Sequence, residues 1–405
     1  MKEVFVIDAV RTAIGKYGGA LSNTRPDDLL AWVIKKLMER NTSIDPKAID
    51  DVIAGAANQA GEDNRNVARM ALLLAGLPVT VPGCTVNRLC ASGLEAIMNA
   101  ARQIRCGDAE LMIAAGVESM TRAPFVMAKP VAPFQREMEI YDTTLGWRFK
   151  NKKLTDQYYP YSMGETAENV AKQWKISREK QDEFAFRSQQ KYFEALEAGK
   201  WNMEIVPIEV NKVEKDFLKG TTDVPMFEQD EHPRRTSLEK LATLKPAFAK
   251  DGTVTAGNSS GINDGAASLL LASEEAVKKF ALHPVARIIS MGVAGVDPAI
   301  MGIGPVPATK QALERAALNI SDIDIVELNE AFASQALACI HDLNIDINKV
   351  NVNGGAIALG HPLGCSGARI STTLIYEMKR RNVKYGLATM CVGVGQGASI
   401  VYERL

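Results

Sequence analysis

Four side chains with reactive chemistry stand at predicted turns of this chain, three of them beside glycines: Cys90, His361 and Cys391, with Asn329 as the fourth. A cysteine thiolate is a nucleophile, an imidazole moves protons near neutral pH, and an amide donates hydrogen bonds to developing negative charge. Groups of these types are typical of nucleophilic catalysis, in which a thiolate attacks an electrophilic carbon and another group carries the proton.

Cys90 lies in N-R-L-C-A-S-G-L, which predicts a strand followed by the first turn of a helix. Unpaired backbone N–H groups and the positive end of the helix dipole converge there, so we expect a lowered pKa for this thiol. Ala91, Ser92 and Gly93 are small enough to let a carbonyl group approach the backbone. A buried structural cysteine is the alternative, and it is the commoner role of a free thiol.

His361 stands in G-G-A-I-A-L-G-H-P-L-G-C-S-G. A histidine held between glycine and proline on a tight turn suits a base or an oxyanion donor. The alternatives are a turn residue without a role, or a phosphate cradle in which the histidine is incidental. His232, His283 and His341 lie beside prolines or on a polar helix face, which predicts surface positions.

Cys391 ends a predicted strand in T-M-C-V-G-V-G-Q-G. Gly393 has no side chain in the way, so its backbone N–H could point into a site. The glycine run is a poor match to a dinucleotide-binding turn, because no helix and acidic residue follow it. Asn329 stands in N-E-A-F between a predicted strand and a predicted helix. Both a helix N-cap and a holder of a water facing an oxyanion remain open for this side chain.

The elements that must position these residues form two similar series. Strand and helix patterns alternate over the first ~120 residues, which predicts parallel strands with helices on their faces. The stretch from 119 to 250 is rich in proline, methionine and charged helix, which predicts an insertion that covers something. The last third repeats the alternation, and segments 90–98 and 365–375 both place small residues at a turn before a helix. This likeness suggests a duplication.

The individual elements predicted from hydrophobic periodicity are strands at 4–7, 52–55, 110–116, 253–256, 268–272, 286–291 and 325–327, a final pair of strands, helices at 25–40 and 178–196, and further helices behind Pro307 and from Glu330.

The composition limits the function classes. The chain has 405 residues, of which 47 are basic and 48 acidic, so a surface devoted to nucleic acid is not expected. Its most apolar stretch, 70–81, is too short to span a membrane, which takes roughly 20 apolar residues. Six cysteines are too sparse for a disulfide scaffold and show no metal-ligand spacing, so we expect free thiols in the cytoplasm and no metal.

Taken together, these motifs resemble the thiolase family over essentially the whole chain. N-R-L-C-A-S-G-L-E-A-I resembles the nucleophile block and N-E-A-F the asparagine block. G-H-P-L-G-C-S-G-A-R resembles the histidine block and C-V-G-V-G-Q-G the second cysteine block. G-N-S-S-G-I-N-D-G-A-A is similar to the segment that lines the coenzyme A tunnel. Several family blocks in the right order favour a catalytic Cys90 over a buried structural cysteine.

The resemblance implies an α/β fold of two duplicated five-stranded βαβαβαββ halves, layered α-β-α-β-α, with a loop domain over the active site. Residues 1–119, completed by 250–272, would form the N-terminal half. Residues 120–249 would form the loop domain and residues 273–405 the C-terminal half. The resemblance also implies a homodimer or a homotetramer built as a dimer of dimers.

By the same resemblance, Cys90 accepts the acyl group and Cys391 is the general acid/base at the substrate α-carbon. His361 activates the nucleophile and, with a water held by Asn329, binds the thioester oxyanion. The backbone N–H groups of Cys90 and Gly393 would form a second oxyanion hole.

Coenzyme A would be a substrate, with no permanent cofactor. The resemblance places Ser260 along it, Arg235 and Lys240 near its nucleotide end, and Ser162 among its contacts. Enzymes that act on acetoacetyl-CoA commonly carry a histidine at the position of Ser162, which counts against that activity. Val394 alters the usual C-x-G-G-G motif.

Segments 57–69 and 142–149 resemble thiolases that cleave 3-oxoadipyl-CoA to acetyl-CoA and succinyl-CoA in the breakdown of aromatic compounds. That substrate ends in a carboxylate, so a cation is expected in the acyl pocket, from Arg122, Arg136 or Arg148. Three alternatives remain: an acetoacetyl-CoA thiolase, a non-catalytic acyl-CoA or lipid-binding relative, and a ketoacyl-ACP synthase. The second cysteine counts against the last.

Overall fold

A computed structural model describes residues 2–210 and 225–405 of the chain. Its strands in chain order are β1 Phe5–Arg11, β2 Gly15–Lys16, β3 Asp51–Gly55, β4 Gly83–Val86, β5 Leu111–Ser119, β6 Phe125–Met127, β7 Ile140–Asp142, β8 Ile208–Glu209, β9 Met226–Phe227, β10 Asn263–Ala272, β11 Ala286–Gly295, β12 Ile325–Leu328, β13 Tyr385–Val392 and β14 Gln396–Arg404. Its α-helices are α1 Pro26–Arg40, α2 Val67–Leu74, α3 Ser92–Cys106, α4 Lys152–Thr155, α5 Met163–Gln173, α6 Arg178–Glu197, α7 Leu238–Ala242, α8 Glu274–Lys279, α9 Pro305–Ala316, α10 Ala333–Leu343, α11 Ala356–Leu359 and α12 Leu363–Arg381.

One large sheet carries the fold, in the order β12-β13-β14-β11-β1-β10-β5-β3-β4, with β2 joined to β10. In the first half, β3 runs parallel to β4 and β5, and β10 and β1 follow antiparallel. The second half repeats this order, with β12 parallel to β13 and then β14 and β11 antiparallel. Val350 bridges to β12 where β4 stands in the first half. The repeated order matches the duplication expected from the sequence.

Five layers result from this topology. Helices α1 and α2 cover the outer face of the first half of the sheet, while α9 and α10 cover the outer face of the second half. Helices α3 and α12 lie between the two halves and share one apolar core with both. The N-terminal turns of both helices are buried, so the residues that begin these two helices sit deep in the molecule.

Two glycines let α3 and α12 approach each other closely. A Cβ on Gly93 would lie 2.6 Å from the backbone nitrogen of Ala368, and one on Gly367 would lie 2.1 Å from that of Leu94. Contacts this short exclude any larger residue unless the backbone moves. The first turns of both helices are therefore held against each other.

Most predicted elements are confirmed within a few residues, including α1, α6 and the two final strands. One predicted strand is wrong, because residues 253–256 form turn and irregular structure. The helix predicted from Glu330 is present but begins three residues later, at Ala333.

The prediction of parallel strands is wrong for β1, which pairs antiparallel with β10 and β11. A helical crossover enforces parallel strands only between consecutive strands, as in β3 and β4, which α2 joins. The partner β10 comes instead from beyond the predicted insertion.

The described parts of residues 120–249 supply none of the strands of the large sheet; their strands form two small two-stranded sheets. The division into two halves and a loop domain stays a prediction. Within the described residues, no helix is both long and apolar enough to cross a bilayer.

Candidate active site

A cavity of about 330 Å³ opens where the three parts of the chain meet. The first half supplies Cys90 and Glu118 to its wall, and the second half supplies Gly393. The segment 120–249 supplies aromatic side chains such as Trp147 and one basic side chain, Arg148. A cavity with one thiol and a few polar groups among apolar walls is typical of a ligand site.

Cys90 precedes α3 by two residues and is partly accessible from the cavity, with protein around its other sides. Burial raises the pKa of this thiol to about 11, and the nearby charge of Glu118 raises it further. The backbone N–H of Gly393 donates to the sulfur and lowers the pKa in part. The expected lowering is therefore wrong, because desolvation outweighs the helix end. Cys90 rests as a thiol and needs a base.

His361 is placed on its turn by backbone contacts. Gly360 has a φ of +104°, in the region that favours glycine, and a Cβ there would lie 2.4 Å from the Asn263 side chain. The His361 backbone N–H donates to Asn263 Oδ1 at 3.0 Å. His361 lies three residues before Gly364, whose carbonyl oxygen is 2.8 Å from a Cβ placed on Gly93.

The hydrogen bonds of the His361 ring define its tautomer. Ser366 Oγ donates to the Pro362 carbonyl at 2.9 Å, so it can only accept from His361 Nδ1, 2.6 Å away. The proton is therefore assigned to Nδ1, which leaves Nε2 as the acceptor of the ring. Burial lowers the pKa of the ring to about 3, and the charge of Arg369 acts in the same direction. The neutral ring is a proton acceptor.

Asn329 lies beside this ring. Its Nδ2 is 3.4 Å from Nδ1 and 3.5 Å from Nε2 of His361, and its Oδ1 is buried without a hydrogen-bond partner in the described residues. The N-cap interpretation is wrong, because Phe332 is the N-cap of α10. Instead, the Asn329 backbone N–H donates to Thr389 of β13 and fixes the turn.

Cys391 lies at the end of β13, two residues before Gly393, and is almost completely buried among apolar side chains. Burial raises its pKa well above the ordinary value, and the charge of Cys90 adds to this. The two thiols therefore lie close enough to interact electrostatically. Both rest in the protonated form.

Glu118 was not predicted as a site residue from the sequence, although it lies near the end of the buried strand β5, next to the predicted insertion. It accepts hydrogen bonds from the backbone N–H groups of Ala57 at 2.9 Å and Gly364 at 2.8 Å. Burial raises its pKa to about 7. It ties the histidine turn to the loop after β3.

The residues expected near coenzyme A are dispersed. Ser162 lines the cavity and caps α5, in a capping box with Glu165. Ser260, Arg235 and Lys240 lie outside the cavity.

Ser260 is half-buried and donates its backbone N–H to Ala331. Arg235 pairs with Glu197 and stacks over Phe193 at an exposed cleft, and Lys240 is exposed.

His232 is buried, so its predicted surface position is wrong. Its ring packs against Gly261, where a Cβ would lie 2.2 Å away. Burial lowers the pKa of this histidine to about 4. The proline beside it indicated a turn but not the contact that covers the ring. His283 and His341 are exposed, as predicted.

The three candidate cations differ in position. Arg122 makes two hydrogen bonds to Glu62, of 2.5 and 2.6 Å, and lines a separate surface cleft. Arg136 is exposed. Arg148 lines the cavity that contains Cys90. No group of three potential metal ligands occurs within residues 2–210 and 225–405.

The layered fold and the thiol-containing cavity are typical of an α/β acyltransferase. Two family models match the chain, one described as "Thiolase, N-terminal domain" over residues 4–275 and the other as "Thiolase, C-terminal domain" over residues 282–404. The chain therefore belongs to the thiolase family, and it is an acyltransferase of that family.

Individual relatives are similar over the full length. A 3-oxoadipyl-CoA/3-oxo-5,6-dehydrosuberyl-CoA thiolase of Escherichia coli (strain K12) is 55% identical over 408 residues, which cover 100% of both chains. A beta-ketoadipyl-CoA thiolase of Pseudomonas aeruginosa is 56% identical over 407 residues, again 100% of both.

Solved structures agree with the fold. The Bacillus anthracis acetyl-CoA acetyltransferase is 44% identical with a TM-score of 0.92, covering 100% of this chain and 99% of that one. The human mitochondrial 3-ketoacyl-CoA thiolase in complex with CoA is 43% identical with a TM-score of 0.91, covering 100% and 98%. The expected thiolase fold is confirmed.

Proposed function

We propose that this thiolase cleaves 3-oxoadipyl-CoA with coenzyme A to acetyl-CoA and succinyl-CoA, through an acyl group carried on Cys90. The observation that carries the proposal is the Cys90 thiol in the cavity, held by the Gly393 N–H and close enough to Cys391 to interact with it. The substrate comes from the names of the two curated relatives, and Arg148 in the same cavity supports it.

In the first half-reaction, Nε2 of His361 takes the proton of Cys90, and the thiolate attacks the keto carbon. The bond between C2 and C3 of the substrate then breaks, which leaves an acyl group on Cys90 and an enolate of acetyl-CoA. Cys391 gives its proton to C2 of the enolate, and acetyl-CoA leaves. The high pKa of the buried Cys391 suits a group that must hold a proton until a carbanion takes it.

In the second half-reaction, the thiolate of Cys391 takes the proton of incoming coenzyme A. The new thiolate attacks the acyl group and releases it as succinyl-CoA. Cys90 leaves as a thiolate and recovers its proton from His361, so every group returns to its starting state. Two thiols serve because one holds the acyl group while the other moves protons.

Two sets of donors would stabilise the negative charge that develops on oxygen. The Gly393 N–H, which donates to the resting Cys90 sulfur, is released once that sulfur carries an acyl group, and it can then serve the acyl oxygen with the Cys90 N–H. His361 and a water held by the unpaired Oδ1 of Asn329 would serve the thioester oxygen. Donors placed beforehand in a dry site are effective because they need not reorganise.

The proposal extends to the rest of the assembly. Coenzyme A would run from the cavity past Ser162 and Ser260, with Arg235 and Lys240 at its nucleotide end, and residues 120–249 would act as the loop domain that covers it. A homodimer or homotetramer in the cytoplasm completes the proposal. All six cysteines are free thiols, as a reducing compartment would keep them.

A thiolysis panel tests the proposal. We expect kcat/KM to be highest for 3-oxoadipyl-CoA among acetoacetyl-CoA, 3-oxohexanoyl-CoA and 3-oxoadipyl-CoA. A maximum at acetoacetyl-CoA would support an acetoacetyl-CoA thiolase instead. A Cys90→Ser variant should keep coenzyme A binding and lose thiolysis of every substrate, which separates chemistry from binding.

A further inference from the structure

One cation stands in the wall of the Cys90 cavity. Arg148 is half-buried, and it is the one lysine or arginine among the described residues that line this cavity. Apolar or aromatic side chains of the same segment line the cavity with it, including Leu145, Trp147 and Tyr161. We call these four residues the acyl end of the cavity.

Hydrogen bonds orient the Arg148 guanidinium. Its Nη2 donates to Asn58 Oδ1 at 3.0 Å, and Asn58 Nδ2 donates in turn to Thr143 Oγ1 at 3.0 Å. Thr143 Oγ1 donates to the carbonyl of Pro124 at 2.7 Å, so it accepts the hydrogen bond from Asn58 and fixes which atom donates in each bond of this series. The Asn58 amide therefore presents its oxygen, and not its nitrogen, to the arginine.

Arg148 makes no ion pair with any residue that the structure describes. In the described ranges, no carboxylate oxygen lies within 4.0 Å of it, and its Nε and Nη1 make no hydrogen bond. Arg122, by contrast, is neutralised by Glu62. An oriented, uncompensated guanidinium in a partly dry cavity favours an anion, and its planar donors fit a carboxylate best.

We infer that Arg148 binds the carboxylate at the far end of the acyl chain and makes this enzyme selective for 3-oxoacyl-CoA substrates that end in an acid. The inference rests on the proposed function and names the residue that would confer it. In 3-oxoadipyl-CoA that carboxylate is three carbon–carbon bonds from the keto carbon.

The test compares substrates of equal length, 3-oxoadipyl-CoA and 3-oxohexanoyl-CoA, in wild-type enzyme and Arg148→Met. We expect the variant to lose on the order of 10- to 100-fold in kcat/KM for 3-oxoadipyl-CoA, while 3-oxohexanoyl-CoA changes less than about threefold. Arg148→Lys should keep part of the preference, because it retains the charge without the planar donors. Arg136→Met, on the exposed surface, is the matched control and should leave both values unchanged.

Three outcomes would overturn the inference. Equal losses for both substrates would make Arg148 a structural residue, and a raised KM for coenzyme A alone would make it a phosphate contact. An unchanged preference in Arg148→Met would also contradict it, while the proposed function would stand. If wild-type enzyme itself does not prefer 3-oxoadipyl-CoA, the proposed function fails first, so the two failures are distinguishable. A melting temperature for each variant identifies unfolding, and Arg148→Lys then decides.

Discussion

The reactive end of the cavity and its acyl end are built in different ways. At the reactive end, Cys90 and His361 stand before two helices that touch through glycine backbone in the middle layer of the fold. At the acyl end, Arg148 stands in a half-buried loop and is held by side-chain hydrogen bonds. The difference indicates that core elements position the reactive residues while loops determine substrate selectivity. Loops can vary in sequence without disturbing the core.

Removing each thiol in turn should produce the largest effects and separate their proposed roles. Cys90→Ala should lose on the order of 10⁴-fold or more in thiolysis, and it should also lose exchange of labelled coenzyme A into succinyl-CoA. Cys391→Ala should lose on the order of 10²- to 10⁴-fold in thiolysis but much less in exchange. The reason is that a carbon acid needs a positioned proton donor, whereas the thiol of coenzyme A ionises in water unaided. Equal losses in both assays for Cys391→Ala would contradict this division of roles.

The histidine tautomer provides a second test of the reactive end. Ser366→Ala removes the acceptor of the Nδ1 proton, so Nε2 is no longer reserved for Cys90, and kcat should fall by roughly 10- to 100-fold. Thr372→Val is the matched control, because this side chain makes the same bond to the carbonyl four residues before it on α12 and no other side-chain hydrogen bond among the described residues. Its kcat should stay within about twofold of wild type. A similar fall in both variants would show that helix stability, and not the tautomer, is responsible.

Alkylation of Cys90 tests the direction of its pKa. Because burial raises the pKa to about 11, the thiolate fraction at pH 7 is small, and it should rise roughly tenfold per pH unit through pH 9. The rate of modification by iodoacetamide, read at Cys90 by peptide mass mapping, should follow that rise. The alkylation rate of free cysteine, which titrates near ~8.5, would level off at a lower pH than that of Cys90. A plateau below pH 8 would mean that a thiolate is already present at rest.

The smallest expected effect concerns Val394, which lines the cavity with a φ of +62°. A β-branched residue rarely adopts this conformation, which costs roughly 1–3 kcal/mol, while a glycine there costs only its own chain entropy, roughly 0.5–1 kcal/mol. Val394→Gly should therefore leave the free energy of unfolding unchanged or raise it by about 1 kcal/mol. Denaturant unfolding measures this, and a loss above about 1 kcal/mol would contradict the strain.

The family and the residues of the reactive end could be predicted from the sequence, because each of these residues lies in a short characteristic motif at a turn. The fold followed from the family, and hydrophobic periodicity alone located elements such as α1 and α6. The pKa of Cys90 could not be predicted, since its local helix end indicates a lowering and only the tertiary fold reveals the burial that reverses it. The antiparallel pairing of β1 depends likewise on a partner more than 250 residues away.

The acyl end could be narrowed but not resolved from the sequence. The sequence cannot distinguish Arg122, Arg136 and Arg148 as ligands of the acyl end. The structure distinguishes them, because Arg122 is paired with Glu62 and Arg136 is exposed. Glu118 and Ser366 carry no motif that marks them, because their roles depend on backbone donors and a ring brought in from elsewhere. The domain boundaries and the coenzyme A contacts stay predictions.

Mass spectrometry of the acylated protein tests the central claim most directly. Wild-type enzyme is mixed with succinyl-CoA without free coenzyme A, quenched in acid and digested. The account predicts a succinyl group on the peptide that contains Cys90, removed when coenzyme A is added before the quench. A succinyl group on Cys391, or one that coenzyme A does not remove from Cys90, would contradict it.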